Sequence, residues 1–124
     1  MPKKLTDRES DIMQVLWDRG GCRVSDVRRF LKDPLAHNTV LTMLGILEEK
    51  GFVRRETDGR AHRYFAVIPE QFAQQNAIRH LIRKFFRGSS ELLFTHLVAN
   101  QRLSAAQAKR LRQLLQQVID EDRA

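Results

Sequence analysis

The sequence is poor in the residues that build covalent and metal-bound scaffolds. It contains one cysteine, Cys22, and four histidines, His37, His62, His80 and His96, which lack the spacing of a ligand set. A single cysteine excludes an intramolecular disulfide and is typical of a protein in a reducing cytoplasm. Because no cysteine pair could hold copper and no histidine cluster suits zinc, we expect no metal and no other cofactor.

Long apolar runs and catalytic motifs are also missing. No run of about 18 apolar residues could cross a membrane, and the first residues, Met1-Pro2-Lys3-Lys4, lead into a polar segment instead of the apolar core of an export signal. We find no glycine-rich phosphate loop, no nucleophile motif and no paired carboxylates. The sequence therefore predicts a cytoplasmic protein that is neither inserted in a membrane nor an enzyme.

Positive charge is what the chain has in excess. Lysine and arginine number 22 against 15 aspartates and glutamates, which gives a formal net charge of +7 in 124 residues and a pI near 10.3. A chain this basic favours a polyanionic partner. Its length leaves room for one small domain and an appendage, but not for two large cores.

The stretch from Ala36 to Tyr64 has the most informative pattern, a helix-like segment that leads into two strand-like segments. Val40, Leu44 and Leu47 recur at helical spacing, with Met43 beside them. Apolar residues at this interval form one stripe and predict a helix that buries it.

The opposite face of this helix is polar and small. At about 100° per residue, Asn38, Thr42 and Gly45 lie away from the stripe. Asn can pair with an adenine edge, and Thr can meet a phosphate, a base edge or a thymine methyl, so the face suits a DNA groove. His37, Asn38 and Thr39 stand at the amino end, where free N–H groups favour phosphate. Gly45 costs about 1 kcal/mol of helix stability relative to Ala, which indicates either close approach to DNA or a kink or tight packing point.

A basic hairpin is predicted directly after this helix. Asp58-Gly59 separates two strand-like runs and is expected to form the two-residue loop. That register places Arg54 opposite Arg63, and opposed like charges destabilise a hairpin unless an anion such as DNA phosphate neutralises them. The alternative is an ordinary edge hairpin whose arginines deter aggregation. The predicted DNA-binding residues are His37, Asn38, Thr39, Leu41, Thr42, Gly45, Arg54, Arg60, His62 and Arg63.

Two further amphipathic helices precede the predicted groove helix. Thr6 suits an N-cap and Glu9, three residues later, completes a capping box. A short first strand is expected at 22–24, and the second helix is expected to begin at Ser25. Three helices followed by a hairpin are the element order of a winged helix-turn-helix.

These segments resemble the penicillinase repressor family (BlaI/MecI type), which also includes copper-responsive repressors. The resemblance is carried by LTDRESDIMQVLW at 5–17, TVLTMLGILEEKGFV at 39–53 and DGRAHRYF at 58–65, and the family layout fits essentially the whole chain. It implies a mainly α fold with a small β-hairpin wing, in which a winged helix-turn-helix DNA-binding domain is followed by a helical dimerisation region. The implied function is that of a homodimeric transcriptional repressor on a double-stranded DNA operator with dyad symmetry.

Beyond Pro69 the composition changes and strand signals end, so we expect the two regions to be 1–69 and 70–124. Three short amphipathic helices enclose little core alone, whereas pairing with a second copy would bury their stripes. The alternative is that they pack on the winged domain of their own chain. A basic ridge at Arg79, Arg83 and Arg87 is interpreted as a solvated face. The predicted dimerisation residues are Ile78, Leu81, Ile82, Phe85, Leu93, Leu97, Leu111, Leu114, Leu115 and Val118.

Release from DNA is the least determined step. In the best-known branch of the family, a membrane metalloprotease sensor leads to cleavage at an Asn-Phe bond in the dimerisation region, whereas this chain has His96-Leu97 at that place. From the resemblance we therefore expect proteolytic release and a metalloprotease-type sensor partner. The Asn-Phe cleavage site and the β-lactam response cannot be carried over to this chain. Two other functions stay open: an effector-gated regulator with a small-molecule pocket near Phe85-Phe86 and Phe94, and a winged-helix protein-interaction module.

Overall fold

The computed structural model describes residues 4–101 and 103–123, without the side chains of residues 101, 118, 119 and 121–123. Six helices and one hairpin follow in the order α1 (Asp7–Arg19), α2 (Val24–Phe30), α3 (His37–Glu49), β1 (Val53–Asp58), β2 (Ala61–Ala66), α4 (Glu70–Phe85), α5 (Ser90–Gln101) and α6 (Ala105–Arg123). The chain divides into two compact units between Ala73 and Gln74, four residues beyond the boundary expected from the sequence. The mainly helical fold class with a hairpin wing is confirmed.

The first unit has one apolar core, to which α1, α2, α3 and the hairpin all contribute. The stripe predicted on α3 is inside it, because Val40, Leu44 and Leu47 are each fully buried. Burying α3 along this stripe leaves its other face outward. The buried members of the core are Ile12, Met13, Val15, Leu16, Cys22, Val24, Val27, Val40, Leu44, Leu47, Phe52, Val53 and Tyr64.

A capping box at the start of α1 also fixes the end of α3. As predicted, the Glu9 N–H donates to Thr6 Oγ1 at 3.2 Å and the Thr6 N–H donates to Glu9 Oε1 at 2.8 Å. Lys50, the C-cap of α3, donates from Nζ to Glu9 Oε1 at 2.7 Å and to Oε2 at 3.0 Å. Burial by itself raises the pKa of the Glu9 carboxyl, but the hydrogen bonds from Lys50 and Thr6 outweigh it and hold the pKa below its ordinary value of 4.5.

The hairpin register differs from the sequence prediction by two residues. The observed pairs include Glu56 with Arg63 and Asp58 with Ala61, so the loop is Gly59-Arg60 and not Asp58-Gly59. Gly59 has φ 68°, as the first central residue of a type II′ turn requires. The predicted pairing of Arg54 with Arg63 is therefore wrong, and Arg63 faces a glutamate across the ladder.

The connection between α1 and α2 adds a third, single-residue strand to the hairpin. Cys22 forms an isolated antiparallel bridge with Tyr64, its N–H donating to Tyr64 O at 3.0 Å and its O accepting from Tyr64 N at 2.7 Å. The strand expected at 22–24 is thus limited to one bridge, because Val24 already belongs to α2. The expected start at Ser25 is also wrong: Arg23 is the N-cap, and its N–H donates to Asp26 Oδ2 at 3.0 Å.

The second unit has a small apolar cluster of its own. Ile82 of α4, Leu93 of α5 and Leu115 of α6 are buried together, and half-buried apolar residues surround them. Ser89 caps α5 by accepting from the Leu92 N–H at 3.1 Å. The capping box predicted at the start of α6 is confirmed, since Ser104 Oγ accepts from Gln107 N at 3.2 Å and Gln107 Oε1 accepts from Ser104 N at 3.0 Å.

The described part of the chain has neither a membrane-spanning helix nor a metal-binding cluster. None of the helices there is both long and apolar enough to span a bilayer. Among the same residues, no three His, Cys, Asp or Glu side chains are grouped so that they could hold a metal ion.

Candidate nucleic-acid interface

The outward face of α3 carries side chains that can read a groove. Asn38, Thr39 and Thr42 are exposed, and Leu41 keeps 42% of its surface accessible. The apolar stripe of the same helix is fully buried, so the polar face projects from a fixed base. The structure therefore brings the predicted groove residues together on one surface.

The amino end of α3 is open to an anion. Its N-cap is Ala36, which makes no side-chain cap hydrogen bond, and the first turn contains no acidic residue. The first N–H groups of a helix have no intrahelical acceptor and bear part of the positive end of the helix dipole. Exposed His37 stands beside them, so a phosphate is a suitable ligand for this end.

Gly45 lies on the same outward face. A Cβ added there would have no atom within 4 Å, and α3 continues through the position to Glu49. The alternative of a tight packing point within the unit is therefore excluded. What the glycine provides is a bare backbone on a helix face that otherwise carries groove-compatible side chains.

The wing presents a second set of basic side chains. Arg54, Arg60 and His62 are exposed, and Arg60 lies in the turn at the tip. Arg54 pairs with Glu56 and its guanidinium lies 4.4 Å from the centroid of the Phe65 ring. Of these side chains, Arg60 at the tip is the one most directly offered to a phosphate.

An ion pair links the wing to α3. Arg55 of β1 places Nε 3.5 Å from Oε2 of Glu48, in the last turn of α3. A half-exposed pair of this kind contributes at most about 1 kcal/mol, and it links β1 to the last turn of the helix. No local sequence pattern indicates this role of Arg55, because the contact depends on how β1 turns back beside α3.

Arg63 is half-buried and engaged by hydrogen bonds within the unit, although we predicted from the sequence that it binds DNA. Its Nη1 donates to Gly21 O at 2.8 Å and its Nε donates to Asp58 Oδ2 at 3.1 Å. The same carboxylate oxygen accepts from Nε of Arg23 at 2.9 Å. Hydrogen bonds from Arg23 and then Arg63 hold the pKa of Asp58 below its ordinary value of 3.8. Asp58 and Arg23 thus join the start of α2 to the wing, a role that no local sequence pattern indicates.

The Gly20-Gly21 turn and the buried cysteine support this part of the wing. A Cβ on Gly21 would meet Phe65 Cε1 at 2.3 Å, so only glycine leaves room for the Phe65 ring. Burial and then the Asp26 charge raise the pKa of the Cys22 thiol. A buried, protonated thiol of this kind has a packing role and little reactivity.

The predicted dimerisation residues divide into two groups. Ile82, Leu93 and Leu115 are buried within their own unit, and Ile78, Leu97 and Leu111 pack half-buried against them. In contrast, the exposed fractions of Leu81, Phe85 and Leu114 are 38%, 66% and 47%. The side chain of Val118 lies outside the described residues.

Arg79 of the basic ridge and His96 of α5 have local contacts within the second unit. Arg79 Nη1 donates to Asn76 Oδ1 at 3.0 Å, whereas Arg87 is exposed. The ring of His96 lies edge-on to that of Phe86, with centroids 5.6 Å apart. Nothing in these contacts requires a bound anion.

Comparison with known proteins agrees with this geometry. The penicillinase repressor family model matches residues 5–117. The penicillinase repressor of Bacillus licheniformis is 23% identical over 116 residues, which are 92% of this chain and 91% of that protein. The methicillin resistance regulatory protein MecI of Staphylococcus aureus is 20% identical over 114 residues, which are 90% of this chain and 93% of that protein.

A further relative and a solved structure extend the comparison. An uncharacterized 16.5 kDa protein of Latilactobacillus sakei is 29% identical over 114 residues, covering 90% of this chain and 78% of that protein. The solution structure of the monomeric form of Bacillus licheniformis BlaI in complex with the blaP half-operator matches with a TM-score of 0.50 and 26% identity, over 58% of this chain and 90% of that one. Since the family model spans nearly the whole sequence and the winged helix is in place, the chain belongs to the penicillinase repressor family and is a DNA-binding transcriptional repressor.

Proposed function

We propose that the protein represses transcription as a homodimer bound to an operator with dyad symmetry. The observation that carries the proposal is the outward face of α3. Exposed Asn38 and Thr42 share this face with the bare backbone of Gly45, and the basic wing follows the helix. This face combines base-edge donors and acceptors with room for close approach, which are the two requirements of major-groove reading.

Within each half-site, α3 and the wing have different tasks. Asn38 and Thr42 contact base edges, and the amino end of α3 with His37 and Thr39 binds phosphate. Leu41 lies on the same exposed face and supplies an apolar contact of the kind a thymine methyl accepts. Arg60, His62 and Arg54 neutralise backbone phosphates beside the groove, so they contribute affinity more than sequence preference.

The second unit is proposed to join two copies. Leu81, Phe85 and Leu114 remain exposed after the unit has formed its own small core. Helix α5 is apolar around much of its circumference, since Leu92 is 38% exposed whereas its neighbour Leu93 is buried. A helix with apolar residues on several faces is usually buried on several faces. Pairing with a second copy would cover these side chains and place two α3 helices about one turn of DNA apart, or a multiple of it.

The binding surface is supported more strongly than either rival function. A cavity between α5 and α6, lined by Phe94, Arg112 and Leu115 among others, has a volume of about 20 Å³. This is room for roughly one water molecule, so this cavity could not hold an organic effector. A winged-helix module that binds only other proteins would not account for the basic groups around α3.

The proposal is tested by selecting bound DNA from a random duplex library at near-physiological salt, with the oligomeric state measured in parallel by sedimentation. A recovered motif with dyad symmetry and a dimeric chain support the proposal. Recovery of a single half-site together with a monomeric chain would refute the proposed dimer. Recovery of DNA that shares no motif and dissociates with salt would refute operator recognition.

Release is proposed to occur by cleavage in the dimerisation region, in the segment 94–99 of α5. Phe94 and Leu97 pack against the Ile82, Leu93 and Leu115 cluster, so a cut between them would divide α5 within the small core of the second unit. The operator-bound fraction and the intact mass of the chain, followed together in cells under inducing conditions, test this step. Derepression with only intact chain present would eliminate proteolysis.

A further inference from the structure

One carboxylate oxygen holds two arginines from different elements. Asp58 Oδ2 lies 2.9 Å from Nη2 of Arg23 and 3.0 Å from Nη2 of Arg63, in addition to accepting from both Nε atoms at 2.9 and 3.1 Å. Arg23 stands just before α2, and Arg63 lies in β2. Because Asp58 ends β1 beside the Gly59-Arg60 turn, it holds both guanidinium groups near the tip of the wing.

Other contacts hold Arg63 in the same place. Its Nη1 donates to Gly21 O at 2.8 Å, and the next residue, Tyr64, forms the bridge with Cys22. The side chains of Arg23 and Arg63 nevertheless keep exposed fractions of 45% and 38%. Both cations are thus near enough to solvent to bind phosphate if the carboxylate were removed.

We propose that Asp58 is a specificity-determining residue, which withholds Arg23 and Arg63 from the DNA backbone and so keeps nonspecific affinity low relative to operator affinity. The inference rests on the proposed operator recognition. Nonspecific binding grows with the number of phosphates that cations neutralise, whereas base-edge contacts carry the sequence preference. An arginine paired with Asp58 adds nothing to the first quantity, while exposed Arg60 does.

The test is to titrate the full-length Asp58→Asn variant against the selected operator and against a scrambled duplex of equal length, at several salt concentrations. On scrambled DNA the slope of log affinity against log salt should steepen by about one unit for each released arginine, or about two in total. The ratio of operator affinity to scrambled affinity should fall. Thermal unfolding monitors whether the variant is folded.

Two variants separate the proposal from a general charge effect. Asp11→Asn removes the same charge from an exposed position on α1 and should leave the affinity ratio unchanged. Arg23→Gln should keep the wild-type salt slope, because Arg23 is already withheld from phosphate. Combined with Asp58→Asn, Arg23→Gln should cancel about one unit of the added slope.

Several results would overturn the inference. If Asp58→Asn lowers the affinity for operator and for scrambled DNA equally, Asp58 has only a structural role. If Asp11→Asn and Asp58→Asn raise the DNA affinity equally, the effect comes from net charge alone. A slope flattened by about one unit in Arg23→Gln alone would show that Arg23 contacts phosphate in the wild type; this variant decides the matter if Asp58→Asn does not fold. If the wild type itself showed no operator preference, the proposed recognition would fail instead.

Discussion

Replacing Gly45 with alanine should change stability and DNA affinity in opposite directions. Glycine inside a helix is about 0.5–1 kcal/mol less favourable than alanine, and a Cβ at Gly45 has no atom within 4 Å to oppose it. Gly45→Ala should therefore stabilise the free protein by up to about 1 kcal/mol. For a unit of this size that corresponds to a rise in Tm of about 2–8 °C.

The same methyl group should weaken operator binding. It stands on the exposed face with Asn38 and Thr42, where a groove-bound α3 brings its backbone closest to DNA. Pushing the helix outward loosens base-edge contacts that are worth about 1–3 kcal/mol each, so operator affinity should fall about tenfold or more. Urea unfolding measures the first effect, and fluorescence anisotropy with labelled operator measures the second.

Gly51→Ala provides a matched control. A Cβ there also has open space, but Gly51 has φ 85°, a conformation that costs a non-glycine residue about 1–2 kcal/mol. Gly51→Ala should therefore lose stability where Gly45→Ala gains it. A Gly45→Ala protein that is more stable and binds the operator as tightly as the wild type would refute close approach at this position.

Four further predictions concern the groove face, the wing, the second unit and the buried carboxylate. Asn38→Ala and Thr42→Ala should each relax discrimination between operator and scrambled DNA by about 1–3 kcal/mol, measured by competition binding. Arg60→Ala should weaken binding to all sequences alike and flatten the salt slope by about one unit. Phe85→Asp should shift the sedimentation equilibrium toward monomer by more than tenfold in the dissociation constant, since a charge would enter the proposed apolar contact. Folding lowers the pKa of Glu9, so its ion pair should stabilise the unit fully above pH 4.5, the ordinary pKa of the carboxyl. This stability should be lost as the pH falls through the lower pKa of the folded state, and urea unfolding at several pH values measures the loss.

Each of these predictions has an outcome that contradicts it. Unchanged discrimination would remove Asn38 or Thr42 from base reading, and an unaltered salt dependence would remove Arg60 from phosphate binding. The control for Phe85→Asp is Thr95→Asp, which adds the same charge at an exposed polar position on α5. If Phe85→Asp dimerises as tightly as the wild type, the contact between the two copies lies elsewhere. For Glu9, acid stability equal to that of a Glu9→Gln variant at every pH would show that the carboxylate makes no difference.

Local chemistry explains why much of the structure was predictable. The capping box of Thr6 with Glu9 and that of Ser104 with Gln107 each lie within a four-residue segment, so their hydrogen bonds need no tertiary contact. The stripe of α3 follows equally from its spacing, and burying it determines which face remains outward. The outward polar face of α3 could therefore be predicted from the sequence, whereas its role in reading DNA stays a prediction.

The hairpin register failed for a reason that also has a physical basis. A shift of one residue would have moved every side chain to the other face of the ladder, which the apolar pattern would have detected. The actual shift of two residues leaves every side chain on its own face, so the pattern is equally satisfied by both pairings. In the observed register Asp58 lies in β1 and accepts hydrogen bonds from Arg23 and Arg63. The local sequence contains no signal for this arrangement.

The sequence by itself determined the element types, the buried stripe of α3 and the excess of positive charge, because spacing, capping and charge are properties of short segments. Tertiary structure alone decided which cations are engaged within the protein: it left Arg60 exposed at the wing tip and paired Arg63 with Asp58 and Gly21. The same holds in the second unit, where packing took Leu115 into a core and left Phe85 outside. These assignments depend on residues far apart in the chain, whose encounters no local pattern specifies.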